Sequence, residues 1–187
     1  MKKLQAVFAS LLVLSGISLA QAAKPTEPRT VSQVLDRSIA NVENEFVPAA
    51  DAMPEAKYSF APANGDFKGV RTFEKQVKHV AAVNYMLAAG ILGEKPPVDT
   101  GGEDGPDSVK SKADIMKYLK NSFVYLHKAA ESINEGNLVA PTKDPFGEGT
   151  ATRLALATGA VGHCFDHYGQ MVEYLRMNDI IPPASRR

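Results

Sequence analysis

Gly162-His163-Cys164-Phe165-Asp166-His167-Tyr168-Gly169-Gln170 lies inside the last long helical pattern of the chain. Residues four apart on a helix stand one above the other on one face, so His163 and His167 present both imidazoles to a single spot. The helix around them runs from about Thr150, a capping residue type, to near Met177, ahead of Pro182-Pro183, which cannot continue it. Its core stripe reads Leu154, Ala157, Val161, Cys164 or Phe165, Tyr168, Met171 or Val172, and Leu175. A neighbouring stripe carries Leu156, Ala160, His163, His167, Gln170 and Tyr174, with small Gly159 and Ala160 leaving room beside the imidazoles. A metal ion is the natural occupant of a His-x-x-x-His face. Two ligands do not close a site, so a third has to come from another helix.

Three earlier helical patterns are available to supply it. The first starts at Thr30 or Ser32 and runs to about Phe46 on the stripe Val31, Val34 or Leu35, Ile39, Val42 and Phe46, with Pro48 consistent with its end. The second runs from Gly69 or Thr72 to Ile91. Its core stripe is Phe73, Val77, Val80, Leu87 and Ile91, and beside that lies Gln76, His79, Val83, Met86 and Gly90. The third starts at Ser111, with Asp114 making an approximate capping box, follows Ile115, Leu119, Phe123 or Ser122, Leu126, Ala130 and Ile133, and stops at Gly136. No strand is expected. The class is all-α, and the economical architecture is a four-helix bundle, in which sites are built in the core from facing helices.

Of the remaining histidines, His79 sits at the edge of a buried face and is the third ligand candidate. His127 lies one step off the third helix's stripe, four residues before Glu131, and reads as a charge-paired histidine. Three neutral imidazoles, His79, His163 and His167, leave a fourth position open for water or substrate, the mark of a reactive site. Residue 164 is Cys where a His-Glu-x-x-His peptidase motif has its glutamate, which argues against that mechanism. Cys164 itself turns toward the core stripe, away from His163. Imidazole ligands suit zinc, nickel, copper and iron alike.

The connections differ in kind. Residues 49–67, with Pro54, Pro62, Tyr58 and Phe60, read as a packed link. Residues 93–109, with Pro96, Pro97, Gly101, Gly102, Gly105 and Pro106, exceed the roughly two to eight residues usual between bundle helices, which a crossover to the far end would explain. That segment lacks the alternating oxygen ligands of a calcium loop. Residues 137–149 form a second loop.

The chain opens with Met1-Lys2-Lys3, an apolar run from Ala6 to about Ala20, and Ala20-Gln21-Ala22-Ala23. This is the pattern of a secretory signal peptide cleaved after Ala22, too short for a comfortable membrane span. The expectation is an exported, periplasmic or extracellular protein with residues 23–187 as its one domain and no stable membrane insertion after cleavage. Cleavage removes Lys2 and Lys3 from 21 basic residues and leaves all 21 acidic ones, a formal charge of about −2. There is no basic excess for nucleic acid or anionic lipid. A single cysteine excludes an intramolecular disulfide framework.

Two stretches carry a family resemblance: Arg71-Thr72-Phe73-x-x-x-Val77-x-His79-Val80-Ala81, and His163-x-x-x-His167-Tyr168-Gly169-Gln170-x-x-x-Tyr174-Leu175-Arg176 ahead of Ile181-Pro182-Pro183. From about Ser32 to Pro183 the chain resembles the DinB-like or YfiT-like metal-dependent proteins. The resemblance implies a four-helix bundle with a long crossover between helices 2 and 3, and three histidines around zinc, nickel or a similar divalent ion. It also implies a homodimer and, where chemistry is known, transfer involving a low-molecular-weight thiol. The expected function is activation of a thiol or water at the open position toward a small-molecule substrate, with Gln170 and Tyr174 as candidate substrate contacts. The alternative is a non-enzymatic exported bundle that binds metal or another ligand, because the cytosolic thiols of the family are not the natural co-substrates of an exported protein.

Overall fold

The computed structural model describes residues 29–186. The expected signal peptide lies outside the described residues. Four helices, α1 (Val31–Ala52), α2 (Phe73–Leu92), α3 (Lys112–Glu131) and α4 (Arg153–Met177), form the bundle, and a short hairpin of β1 (Pro141–Lys143) and β2 (Thr150–Thr152) precedes α4. None of these helices is long and apolar enough to cross a membrane.

Each helix begins at a side chain that satisfies an otherwise orphaned backbone N–H. Thr30 caps α1 in a reciprocal box with Gln33, Thr72 accepts from the Lys75 amide, Ser111 from that of Asp114, and Thr152 from that of Ala155. Gly93, at φ +74°, ends α2 in the left-handed conformation that favours glycine.

The boundaries depart from the sequence expectation where tertiary packing overrides local signals. Pro48 lies inside α1 and does not end it. The residues beyond it, Ala49, Ala50 and Met53, are fully buried, and the Tyr58 hydroxyl donates to the Ala50 carbonyl at 2.8 Å. Their packing offsets the roughly 3 kcal/mol cost of an interior proline. α3 stops at Glu131, short of Gly136, because the Ser132 hydroxyl takes the Ala129 carbonyl at 2.7 Å and turns the chain. α4 is capped by Thr152 and not Thr150, which belongs to β2.

The hairpin itself corrects the expectation of no strand. Pro141, Thr142 and Lys143 pair antiparallel with Thr152, Ala151 and Thr150. Strands this short show no readable alternation. The hairpin is fastened to the end of α2 by Thr142 Oγ1, which donates to the Gly90 carbonyl at 2.7 Å, and by Arg153 Nε, which donates to that of Ile91 at 3.0 Å.

α1 packs on α3 and α4, and α2 packs on the same two, so α1 and α2 occupy diagonal corners. α2 is the central helix. Apart from Glu74, Lys75, Lys78, Met86, Gly90 and Leu92, its residues are buried. Asn84 Nδ2 donates to Ser122 Oγ at 3.3 Å, and Glu94, just past the end of α2, meets Tyr125 further along α3, so positions rise together and α2 and α3 run parallel. A parallel pair needs a connection that returns along the bundle, which accounts for the length of residues 93–111. That crossover is pinned by two α3 tyrosines: Tyr125 donates to the Glu94 carboxylate and Tyr118 to the Asp99 carbonyl.

His127 bridges α3 to α1, with Nδ1 against Asp36 and Nε2 against Glu43. The carboxylates come from α1, and Glu131 is not among its partners. Their hydrogen bonds and charges hold the imidazole above its ordinary pKa against the opposing effect of burial.

Three fully buried polar side chains cross the core from α3 to α4. Cys164 Sγ donates to Asn84 Oδ1 at 3.3 Å, Asn84 donates to Ser122, and Ser122 donates to the Leu119 carbonyl at 2.7 Å. Burial pushes the Cys164 thiol up to about 12, so it is a packed hydrogen-bond donor, turned away from His163 as helical spacing requires. Asn84→Ala strands the Cys164 donor and removes the donor to the Ser122 oxygen, and should lower the unfolding free energy in urea by roughly 1–3 kcal/mol. Cys164 should resist a disulfide reagent in the native protein and react at once when the protein unfolds.

Candidate metal centre

α2 and α4 face each other with opposite chain directions. Tyr174 meets Arg71, just ahead of α2, Gln170 meets Gln76 and His163 meets His79, so rising positions on one helix match falling positions on the other. In the middle of this seam the three predicted histidines converge. Ligand atoms of His79, His163 and His167 all lie within 4.8 Å of one another, and the Nε2 atoms of His79 and His163 are 3.1 Å apart. His79 and His167 are buried, His163 partly so.

The orientation of His79 is set from outside the seam. Its Nδ1 donates to the Glu103 carbonyl at 2.6 Å, which leaves the Nε2 lone pair directed at the other two rings. A tight turn of the crossover places that carbonyl. Gly101 and Gly105 adopt φ +57° and +76°. A Cβ on Gly101 would collide with the Gly105 backbone, and one on Gly105 would sit 2.9 Å from the Lys78 Cβ. Arg71 anchors the same turn through Asp104 at 3.1 Å.

Desolvation by burial is the main cause that lowers the pKa of all three histidines, to about 3 for His163 and about 4 for His167. Mutual repulsion of the rings and the nearby Arg71 push in the same direction. The imidazoles are therefore neutral near pH 7, the form that ligates metal.

The donor set fits a divalent transition metal. Two nitrogens held at 2.0–2.1 Å from a tetrahedral zinc lie about 3.3 Å apart, close to the spacing of His79 and His163. A second observation points the same way. The buried side-chain polar atoms without a partner among the described residues are His163 Nδ1, His167 Nδ1 and Gln76 Oε1, all at this centre or one turn from it. Unsatisfied groups gathered in one place mark a site for a bound group.

Along the seam toward Arg71, a groove of about 830 Å³ opens next to the histidine layer, bordered by Phe67, Arg71, Lys75, Gln76, Gln170 and Tyr174. The two predicted contact residues both face it. Gln170 is exposed and hydrogen-bonded to Gln76 and Asp166, while Tyr174 is buried and donates to the Arg71 carbonyl at 3.0 Å. The histidines lie behind this layer and are not part of the groove wall. Of the two small residues expected to leave room beside the imidazoles, Gly159 faces solvent and Ala160 is fully buried.

Two contributors escape the sequence reading. The Glu103 acceptor is a backbone carbonyl, and no residue type announces it; the clustered glycines are its only trace. Gln76 lies on the stripe with His79, but its orphaned oxygen depends on partners from α4.

The metal-free protein should be acid-labile. The folded-state values of His163 and His167 lie below the unfolded value of about 6.5, so the unfolded chain binds protons first as pH falls. Stability is complete above that pH and declines as pH drops from about 6.5 toward 3, by roughly 2–5 kcal/mol in all. Urea titrations across this range should show the loss, and His163→Gln should remove part of it.

The family model described as DinB superfamily matches residues 38–171. No curated protein is similar enough in sequence to count as a match. Among solved structures, a DinB-like protein from Bacillus cereus is 16% identical with a TM-score of 0.62, covering 81% of this chain and 95% of that one. A conserved protein from Enterococcus faecalis is 17% identical with a TM-score of 0.61, covering 78% and 95%. At these identities the two structures attest the fold. With the family match spanning most of the bundle, the chain belongs to the DinB superfamily.

Proposed function

We propose that the protein is an exported metal-dependent transferase or hydrolase that holds zinc or nickel on His79, His163 and His167 and uses the open position for a thiol or water. The observation that carries this reading is the convergence of three neutral imidazoles one residue layer behind the wall of a groove large enough for a small molecule. A divalent ion held there supplies Lewis acidity, lowering the pKa of a thiol or water so that a nucleophile is available near neutral pH.

The chain's own groups do the rest. Glu103 holds the Nδ1 proton of His79 and so keeps its Nε2 available, an outer contact of the kind that raises ligand basicity. The crossover turn lies against the Nδ1 edge of His79, the side away from the other two rings. Gln170 and Tyr174 are placed to orient a substrate entering from the groove. A homodimer and residues 1–22 as a cleaved signal peptide belong to the same proposal.

Protein purified without an affinity tag should carry about one divalent ion per chain, with an X-ray absorption spectrum of three nitrogen ligands and one exchangeable light atom. Chelation should lower Tm by roughly 5–15 °C, as expected when ligand present at 100 to 1,000 times its Kd is removed from a domain of this size. His79→Ala should weaken metal binding at least about 100-fold. Metal-loaded protein assayed with thiol and electrophile pairs and with activated esters should turn over at least one, with loss in His79→Ala. Stoichiometric metal without turnover would favour the non-enzymatic binding bundle. Intact mass of protein recovered from an export-competent host should place the mature N-terminus at Ala23.

A further inference from the structure

Asp166, Gln170 and Gln76 form a directional hydrogen-bond chain leading inward from the surface. Gln170 Nε2 donates to Asp166 Oδ2 at 3.0 Å, and Gln76 Nε2 donates to Gln170 Oε1 at 2.7 Å. An ionised carboxylate only accepts, so Asp166 obliges Gln170 to turn its NH2 outward and its carbonyl inward. That carbonyl obliges Gln76 to present its own NH2. The amide of Gln76 is thereby fixed with Oε1 as its remaining face, and Oε1 has no partner although the residue is only 3% exposed. The hydroxyl of Tyr174, the polar group beside it, has its proton committed to the Arg71 carbonyl.

A buried acceptor without a donor costs about 1–3 kcal/mol. Gln76 belongs to the floor of the groove and stands one helical turn from His79 on the same face of α2. We propose that Gln76 Oε1 is a ligand acceptor, and that the groove takes a small molecule with an N–H or O–H donor about 4.5 Å along α2 from His79. This rests on the three-histidine reading, and assigns to Gln76 the selection of which nucleophile or substrate is retained. An isosteric molecule with a methyl group in place of the donor leaves Oε1 unsatisfied and is disfavoured. Asp166 acts at a distance, as the positioning residue that sets the polarity of both amides.

The test uses cobalt(II)-loaded full-length protein and two probes of nearly equal size, 2-mercaptoethanol and 1-propanethiol, whose affinities are read from the thiolate-to-cobalt absorption band. The informative quantity is the ratio of the two affinities, because intrinsic differences between the thiols cancel when variants are compared. Gln76→Met, which keeps the volume and removes the acceptor, should reduce the preference for 2-mercaptoethanol by about fivefold or more. Asp166→Asn, a surface change, should reduce it partway, because a neutral amide no longer dictates which way Gln170 and Gln76 turn. An unchanged ratio in both variants, with the wild-type cobalt spectrum and Tm retained, overturns the proposal and leaves the three-histidine site standing. Should Gln76→Met not fold, an unchanged ratio in Asp166→Asn overturns it alone. A wild-type protein that gives no nitrogen-ligated cobalt spectrum overturns both.

Discussion

The structure depends on the burial of α2. A helix enclosed by its neighbours cannot leave its polar side chains to water, so Gln76, His79 and Asn84 must each find a partner within the protein. α4 supplies one at every level, Gln170, then His163 and His167, then Cys164. Apolar side chains alone tolerate a sliding contact, whereas these pairs are directional and fix the register of the two helices. The Asn84 level is satisfied by ordinary hydrogen bonds, and the Gln76 level is satisfied except at Oε1. The middle one brings together three lone-pair donors and leaves ring nitrogens unpaired, which is what a bound metal ion would satisfy.

The helices were legible because their apolar stripes are long and their caps are of the expected types. Thr72 and Ser111 start α2 and α3, and the stripe through Ile115, Leu119 and Leu126 is buried. What the sequence hid was decided at a distance. Pro48 carries a local signal to stop, overruled by the packing of Ala49, Ala50 and Met53. His127 has a local partner four residues on, but the carboxylates of Asp36 and Glu43 across the α1–α3 seam are the ones it meets.

The site divides along the same line. His163 and His167 could be placed on one face from spacing alone, since a helix fixes their relation internally. Adding His79 needed the inference that two amphipathic stripes face each other, and the bundle brings them together. The limits of reading appear one layer out. Neither the carbonyl that orients His79 nor the polarity of the Gln76 amide is written at its own position. The first follows from the path of the crossover and the second from an acidic residue on another helix.

The Glu103 contact bears on how this centre tolerates change in its gene. Every residue type supplies a main-chain carbonyl, so the codon for residue 103 can drift without removing the acceptor from His79. The restriction falls on Gly101 and Gly105, whose positive φ angles and close neighbours admit no side chain without displacing the turn. The heritable information for holding one imidazole therefore resides in two residues that have no functional group at all.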